Sequence, residues 1–181
     1  MSFPDDKDIL ELIRSEATRN EGFRFLVARY KEKLYWHIRR MVHEHEDADD
    51  VLQNTFMKVI RHIEGFKEQS SLYTWIYRIA SNEAINFLHS RQRQTKEATL
   101  GLVSAASVDQ HDNHSPEAML DLLARAIDTL PEKQKLVFNL RYYDEMPYHQ
   151  IAEITETSEG ALKASYHLAV RKIEDFLKAR A

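Results

Sequence analysis

Apolar residues recur along this chain three and four positions apart, between short polar breaks, and that rhythm predicts helices almost throughout. Ile9, Leu12, Ile13 and Ala17 form the first apolar set, with Asp5 and Asp6 placed to cap it. Leu26, Val27, Tyr30, Leu34, Ile38 and Met41 form the second stripe. The acidic stretch "HEDADD" opens a third helix carrying Val51, Leu52, Thr55, Phe56, Val59 and Ile60 in phase, since carboxylates suit a helix N-terminus. Gly65 is placed to end it, and "FKEQSS" is a polar loop before the helix that begins near Leu72.

The rhythm fails over "RQTKEATLGLVSAASVDQHDNHS", which predicts a flexible linker over residues 93–115 between a domain at 1–92 and another at 116–181. Helix resumes at Ser115 and Pro116, with Met119, Leu122, Leu123, Ala126, Ile127 and Leu130 on one face. Pro131 opens the next helix and "DEMP" is a turn. "YHQIAEIT", "ETS" and a long final helix then match a helix-turn-helix, with a plain helical hairpin as the alternative. The fold class is therefore all-α, as two small helical domains. Only 4 Gly and 4 Pro, with few β-branched runs, disfavour sheet architectures.

Composition narrows the chemistry. Without Cys there is no disulfide, thiolate metal site or Cys nucleophile. No leader-like or membrane-spanning apolar run is evident, so a soluble, cytoplasmic protein without membrane insertion is expected. The formal net charge is −4, with the signs segregated. Seven Lys and Arg (Arg19, Arg24, Arg29, Lys31, Lys33, Arg39, Arg40) face two Glu between Arg19 and Met41, and "EHEDADD" then puts five acids within seven residues. That pattern reads either as solvated faces or as two surfaces for two partners.

In the helix-turn-helix, Ser158 is the N-cap of the second helix and Glu159, Gly160, Ala161 and Lys163 make its first turn. Lys163, Ser165, His167 and Arg171 are placed to meet phosphates or bases, and Arg141 is a further phosphate candidate. Leu162, Tyr166, Ala169, Val170 and Ile173 point inward. In "SLYTWIYRIASNEAINFL", Leu72, Ile76, Ile79, Ala80 and Phe87 form a core stripe, with Tyr73 and Tyr77 beside it. Trp75 falls instead within about 80° of Arg78, Asn82 and Asn86, on the polar side. An indole there serves either to stack on a base or to pack locally, and the sequence leaves both open.

"HEDADDVLQNTFMKVIRHIEGFKEQSSLYTWIYRIASNEAINFL" resembles the region-two signature of ECF-type sigma factors, the promoter-recognition subunits of bacterial RNA polymerase. "LARAIDTLPEKQKLVFNLRYYDEMPYHQIAEITETSEGALKASYHLAVRKI" is similar to their region four. The resemblance implies a first domain that reads the minus-ten element as single strand and a second that reads the minus-thirty-five element as duplex. It implies that a flipped base is held by the loop from Phe66 to Leu72, through Lys67, Ser70 and Ser71, near Asn82, with Trp75 supporting the loop or touching DNA. It further implies polymerase contacts at Asp49, Asp50, Leu52, Gln53 and Phe56, and partners in core RNA polymerase, promoter DNA and an anti-sigma factor; no cofactor, metal or small-molecule substrate is expected. Asn54 stands where the family usually has an acid. "KASYHLAV" places Ala164, Ser165, Leu168 and Val170 where it usually has polar or basic residues, leaving Lys163, His167 and Arg171.

Two rival readings are a stand-alone helix-turn-helix regulator and an enzyme or metal protein. The former predicts tight binding to duplex DNA alone, which the acidic balance disfavours. The latter would use His43, His45, Glu46 and Asp47, or His111, Asp112 and His114, but no nucleophile constellation or phosphate loop accompanies them.

Overall fold

The computed structural model describes residues 3–98 and 116–180. Their helices are α1 (Asp6–Arg14), α2 (Arg19–Val42), α3 (His45–His62), α4 (Leu72–Ala98), α5 (Pro116–Asp128), α6 (Glu132–Tyr142), α7 (Tyr148–Thr155) and α8 (Glu159–Lys178), with a short 3-10 turn at Ile63–Gly65. No strand occurs among the described residues. The chain divides into two compact units, the main break falling between Phe87 and Leu88, with Glu153–Thr155 grouped with the first. α4 continues to Ala98, past the boundary expected at 92, because "QRQTKEA" has helix-forming side chains even where it lacks an apolar stripe.

The first unit begins with a capping box: Asp5 accepts from the backbone N–H of Lys7 and Asp8, and Asp8 accepts from that of Asp5. The Asp8 N–H foremost holds the Asp5 carboxyl below its ordinary pKa. α1 stops at Arg14, short of Ala17, which is exposed. Its end is closed from outside the helix, where Thr18 Oγ1 donates to the Leu12 carbonyl at 2.9 Å and Arg19 Nε to that of Ile13 at 3.2 Å.

α1 and α2 touch at Gly22, where a Cβ would stand 2.7 Å from Ile13 Cγ1 and 2.8 Å from the Ile13 backbone nitrogen. Leu26, Tyr30, Leu34, Ile38 and Met41 of α2 are buried as expected. So are Val51, Leu52, Thr55, Phe56 and Val59 of α3. Ile60 is a departure at 41% exposed, because Ile63, in the 3-10 turn, fills the core in its place. Gly65 does not adopt the left-handed conformation of a helix-ending glycine, since α3 tightens into that turn first.

In the second unit, Ala126, Ile127, Leu130, Phe138, Ala169 and Ile173 form a core shared by α5, α6 and α8. Met119, expected on that face, is 63% exposed, because the core takes up only the C-terminal half of α5. The helix-turn-helix is present as α7 and α8. Glu156 occupies the left-handed position ending α7 (φ 52°, ψ 39°), the slot glycine usually takes, and Ser158 Oγ caps α8 by accepting from the Ala161 N–H at 3.3 Å.

Gly22→Ala is expected to destabilise the first unit by about 1–3 kcal/mol, since the Ile13 backbone cannot retreat without moving α1. Urea denaturation checks this, and an unchanged midpoint would mean that the two helices are not held at this separation.

Candidate nucleic-acid interface

The loop before α4 is built from its own polar groups. Ser71 Oγ accepts from the Thr74 N–H at 3.1 Å, its hydroxyl lies 2.8 Å from that of Thr74, and its carbonyl accepts from Trp75 N–H at 3.0 Å. Ser71 is therefore a capping residue as well as a loop residue. Glu68 has a positive φ of 55° and pairs with Arg14 at the end of α1. That ion pair ties the loop to the body of the unit. Lys67 is exposed and Ser70 half-buried.

Trp75 is half-buried and packs on Phe66, with ring centroids 5.0 Å apart and planes at 38°. Of the two roles open at the outset, bracing the loop is the one its contacts fit. Phe66, Lys67 and Ser70 of the loop stand with Thr74, Trp75 and Arg78 at the start of α4. Further along α4, Asn82 and Asn86 are both exposed, one and two turns from Arg78. Tyr77 is buried and Tyr73 half-buried against α2, where Tyr30 and Tyr73 lie 6.3 Å apart. Burial, then the Asp6 carboxylate accepting from its hydroxyl at 2.8 Å, push the Tyr30 phenol well above its ordinary pKa.

On α3, Asp49, Asp50 and Gln53 are exposed, whereas Leu52 and Phe56 are only 5% and 9% exposed and belong to the core. The outward apolar positions are Met57 (42%) and Ile60 (41%), which follow Gln53 along the same face. Periodicity alone hid both, because Ile60 also fits the core phase.

The first turn of α8 presents Ser158, Glu159 and Gly160 to solvent, with open space where a Gly160 Cβ would stand. Lys163, His167 and Arg171 are exposed at successive turns. Arg141 is partly committed: it donates to the Met146 carbonyl at 2.8 Å, with its guanidinium 5.0 Å from the Tyr148 ring centre. Lys163 Nζ stands 5.7 Å from the same ring, so Tyr148 gathers two cations at the start of the motif. Burial chiefly, and then the electrostatic effect of Tyr148, raise the Tyr166 phenol pKa.

His43, Glu46 and Asp47 do not converge on a site, and among the described residues no three metal-ligating side chains are grouped to hold an ion. His45 instead lies 2.7 Å from the Tyr35 hydroxyl and 3.5 Å from Asp49. His111, Asp112 and His114 lie outside the described residues. No described helix is long and apolar enough to cross a membrane.

Comparison with known proteins falls on the same two units. The Sigma-70 region 2 family matches residues 26–94, and Sigma-70, region 4 matches residues 120–173. The chain is 32% identical over 165 residues to the ECF RNA polymerase sigma-E factor of Haemophilus influenzae, covering 86% of this chain and 87% of that protein. It is 28% identical over 165 residues to that of Escherichia coli K12, covering 86% of each. Among solved structures, the Bartonella quintana sigma factor RpoE, in complex with the anti-sigma factor NepR, matches with a TM-score of 0.70 at 20% identity, over 86% of this chain and 96% of that one. CnrH, in complex with the cytosolic domain of CnrY, matches with a TM-score of 0.70 at 20% identity, over 97% of this chain and 100% of that one.

Removing the Trp75 brace with Trp75→Ala is expected to speed amide exchange over residues 66–71 by roughly two- to tenfold, the worth of one aromatic pair. Hydrogen-exchange mass spectrometry reads this directly. Exchange unchanged from the native chain would mean that the indole does not hold the loop.

Proposed function

We infer the work of each unit from one premise: this chain belongs to the ECF sigma factors of RNA polymerase, binding core polymerase and directing promoter-specific initiation of transcription. The observation that carries the reading is the match of region 2 and region 4, in that order, to two separate helical units. Bond-making stays with the polymerase, and this chain acts by binding, in the cytoplasm.

In this proposal the first unit holds the melted minus-ten strand. A flipped base is held at the loop by Lys67, Ser70 and Ser71, over the Phe66–Trp75 pair. Arg78, Asn82 and Asn86 then line the strand's path along α4. Such a base needs hydrogen-bonding groups at its edge and an apolar floor, and the loop supplies both. α3 docks on the polymerase through Asp49, Asp50 and Gln53, with Met57 and Ile60 extending the contact. Leu52 and Phe56 support that face from beneath, which their burial favours. The second unit reads the minus-thirty-five duplex with α8: Ser158, Glu159 and Gly160 approach the groove, and Lys163, His167, Arg171 and Arg141 meet phosphates or base edges. A net charge of −4 suits a subunit brought to DNA by its partner, and it weighs against a stand-alone regulator.

The two solved neighbours are bound to an anti-sigma factor and to the cytosolic domain of CnrY, and we extend to this chain an inhibitor protein that masks the polymerase-binding face. Capture of the tagged chain from resting cells should recover it, with core polymerase displacing it. Recovery of the chain alone would argue against such a partner.

The native chain is expected to co-elute stoichiometrically with core RNA polymerase, and Asp50→Ala combined with Gln53→Ala to weaken this at least tenfold, as loss of about 1.4 kcal/mol gives. No co-elution of folded native chain would overturn the reading. At a mapped promoter, Lys163→Ala should weaken minus-thirty-five binding uniformly and lower the salt slope by about 0.9. Asn82→Ala should instead impair strand opening. Unchanged initiation by both variants would displace the proposed DNA surfaces.

A further inference from the structure

On α2, Arg29, Lys33, Trp36 and Arg40 fall within about 60° of one another on a helical wheel of roughly 100° per residue. The stripe runs beside α4, because Lys33 Nζ stands 5.9 Å from the Tyr73 ring centre and the neighbouring His37 bonds Ser81. Trp36, at 51% exposed, is a large aromatic with nothing to gain from water. Its indole stands edge-on to Tyr35, with ring centroids 5.3 Å apart and planes at 76°. Tyr35 is itself held by the hydrogen bond to His45. The indole is thus braced on one side and open on the other.

Lys33 stands one turn before it and Arg40 one turn after, and a turn further back Arg29 is bound to Asp6 at 2.8 Å. An open aromatic face between cations, on a helix carrying seven Lys and Arg against two Glu from Arg19 to Met41, complements a polyanion that also offers flat apolar faces. Paired bases in a duplex are already stacked on each other. Only an unpaired strand has a base to lend.

We propose that Trp36, with Lys33 and Arg40, forms a second single-strand DNA subsite, in which one unpaired base stacks on the indole while the two cations take the adjoining phosphates. The subsite rests on the reading that this unit handles melted promoter strand, and it lies on a different helix from the loop and α4 face assigned above. It adds a fixed point for the strand beyond the flipped-base loop.

The test uses the full chain and a labelled single-stranded oligothymidylate, read by fluorescence anisotropy, with a duplex of equal length alongside. Trp36→Ala should weaken single-strand binding roughly tenfold and leave duplex binding unchanged, while Trp36→Phe, which keeps an aromatic face, should restore most of the loss. Lys33→Ala should lower the single-strand salt slope by about 0.7. Because Trp36 is half exposed, the thermal midpoint should fall by no more than the loss of its one aromatic pair with Tyr35, so a global folding defect is visible separately. Equal single-strand affinity of native chain and Trp36→Ala overturns the subsite. So does stronger binding to a polyglutamate peptide than to the oligonucleotide, lost in Trp36→Ala, which would assign the stripe to an acidic protein partner. Core polymerase co-elution of the native chain and of Trp36→Ala is scored in parallel. Failure there sinks the sigma reading, and failure of the oligonucleotide assay alone sinks only the subsite.

Discussion

The contact between α2 and α4 decides what the first unit can present. His37, fully buried, lies 2.9 Å from the Ser81 hydroxyl and packs tilted against Tyr77, with ring centroids 5.0 Å apart; Tyr77 in turn meets Tyr73 at 4.5 Å. A buried polar group left without its partner costs about 1–3 kcal/mol, so His37 and Ser81 each require the other. Turning α4 by one residue, roughly 100°, would break that pair and carry Arg78, Asn82 and Asn86 off the surface they share. Apolar packing alone would tolerate small rotations, whereas a directional bond does not. The outward face of α4, and with it the DNA path proposed here, depends on a polar contact in the core.

Charge is arranged with the same economy. Acids gather at the start of α3, where the helix dipole favours them, and Asp49 and Asp50, both exposed, lie on the face proposed to meet polymerase. Cations gather on α2 and along the outer side of α8. Two α2 cations are already engaged inside the unit: Arg19 with Glu64 and Arg29 with Asp6. A raw count of basic residues therefore overstates the positive surface left for DNA. With a net charge of −4, recognition must come from a few placed groups and from delivery by a partner, since long-range attraction to phosphate is not available.

The helix-turn-helix reaches its geometry by unusual means for its residue types. Glu156 takes the left-handed position at a cost of about 1 kcal/mol, which a glycine would avoid. The Arg141 bond to the Met146 carbonyl stiffens the connection just before α7, and the Tyr148 ring holds Arg141 and Lys163 on the same side. With Ala164 and Leu168 exposed where the family usually has polar or basic residues, few side chains on α8 can bond to bases. In this reading Lys163, His167 and Arg171 carry most of the contact.

Helix number and order, the Asp5 and Ser158 caps, the helix-turn-helix and the two regions in sequence were all legible from the amino acids, because caps, turns and apolar periods are local properties. Tertiary structure alone decided that Ile60 faces out while Ile63 faces in, that His37 and Ser81 are buried as a pair, and that Trp75 sits on Phe66. It also decided that Leu52 and Phe56 lie beneath the α3 face rather than on it. Periodicity defines an apolar arc on each helix, but the edge of that arc is assigned by where the next helix crosses. A polar residue on the arc is core or surface according to whether a partner from a distant segment arrives to satisfy it, and no local pattern records that arrival.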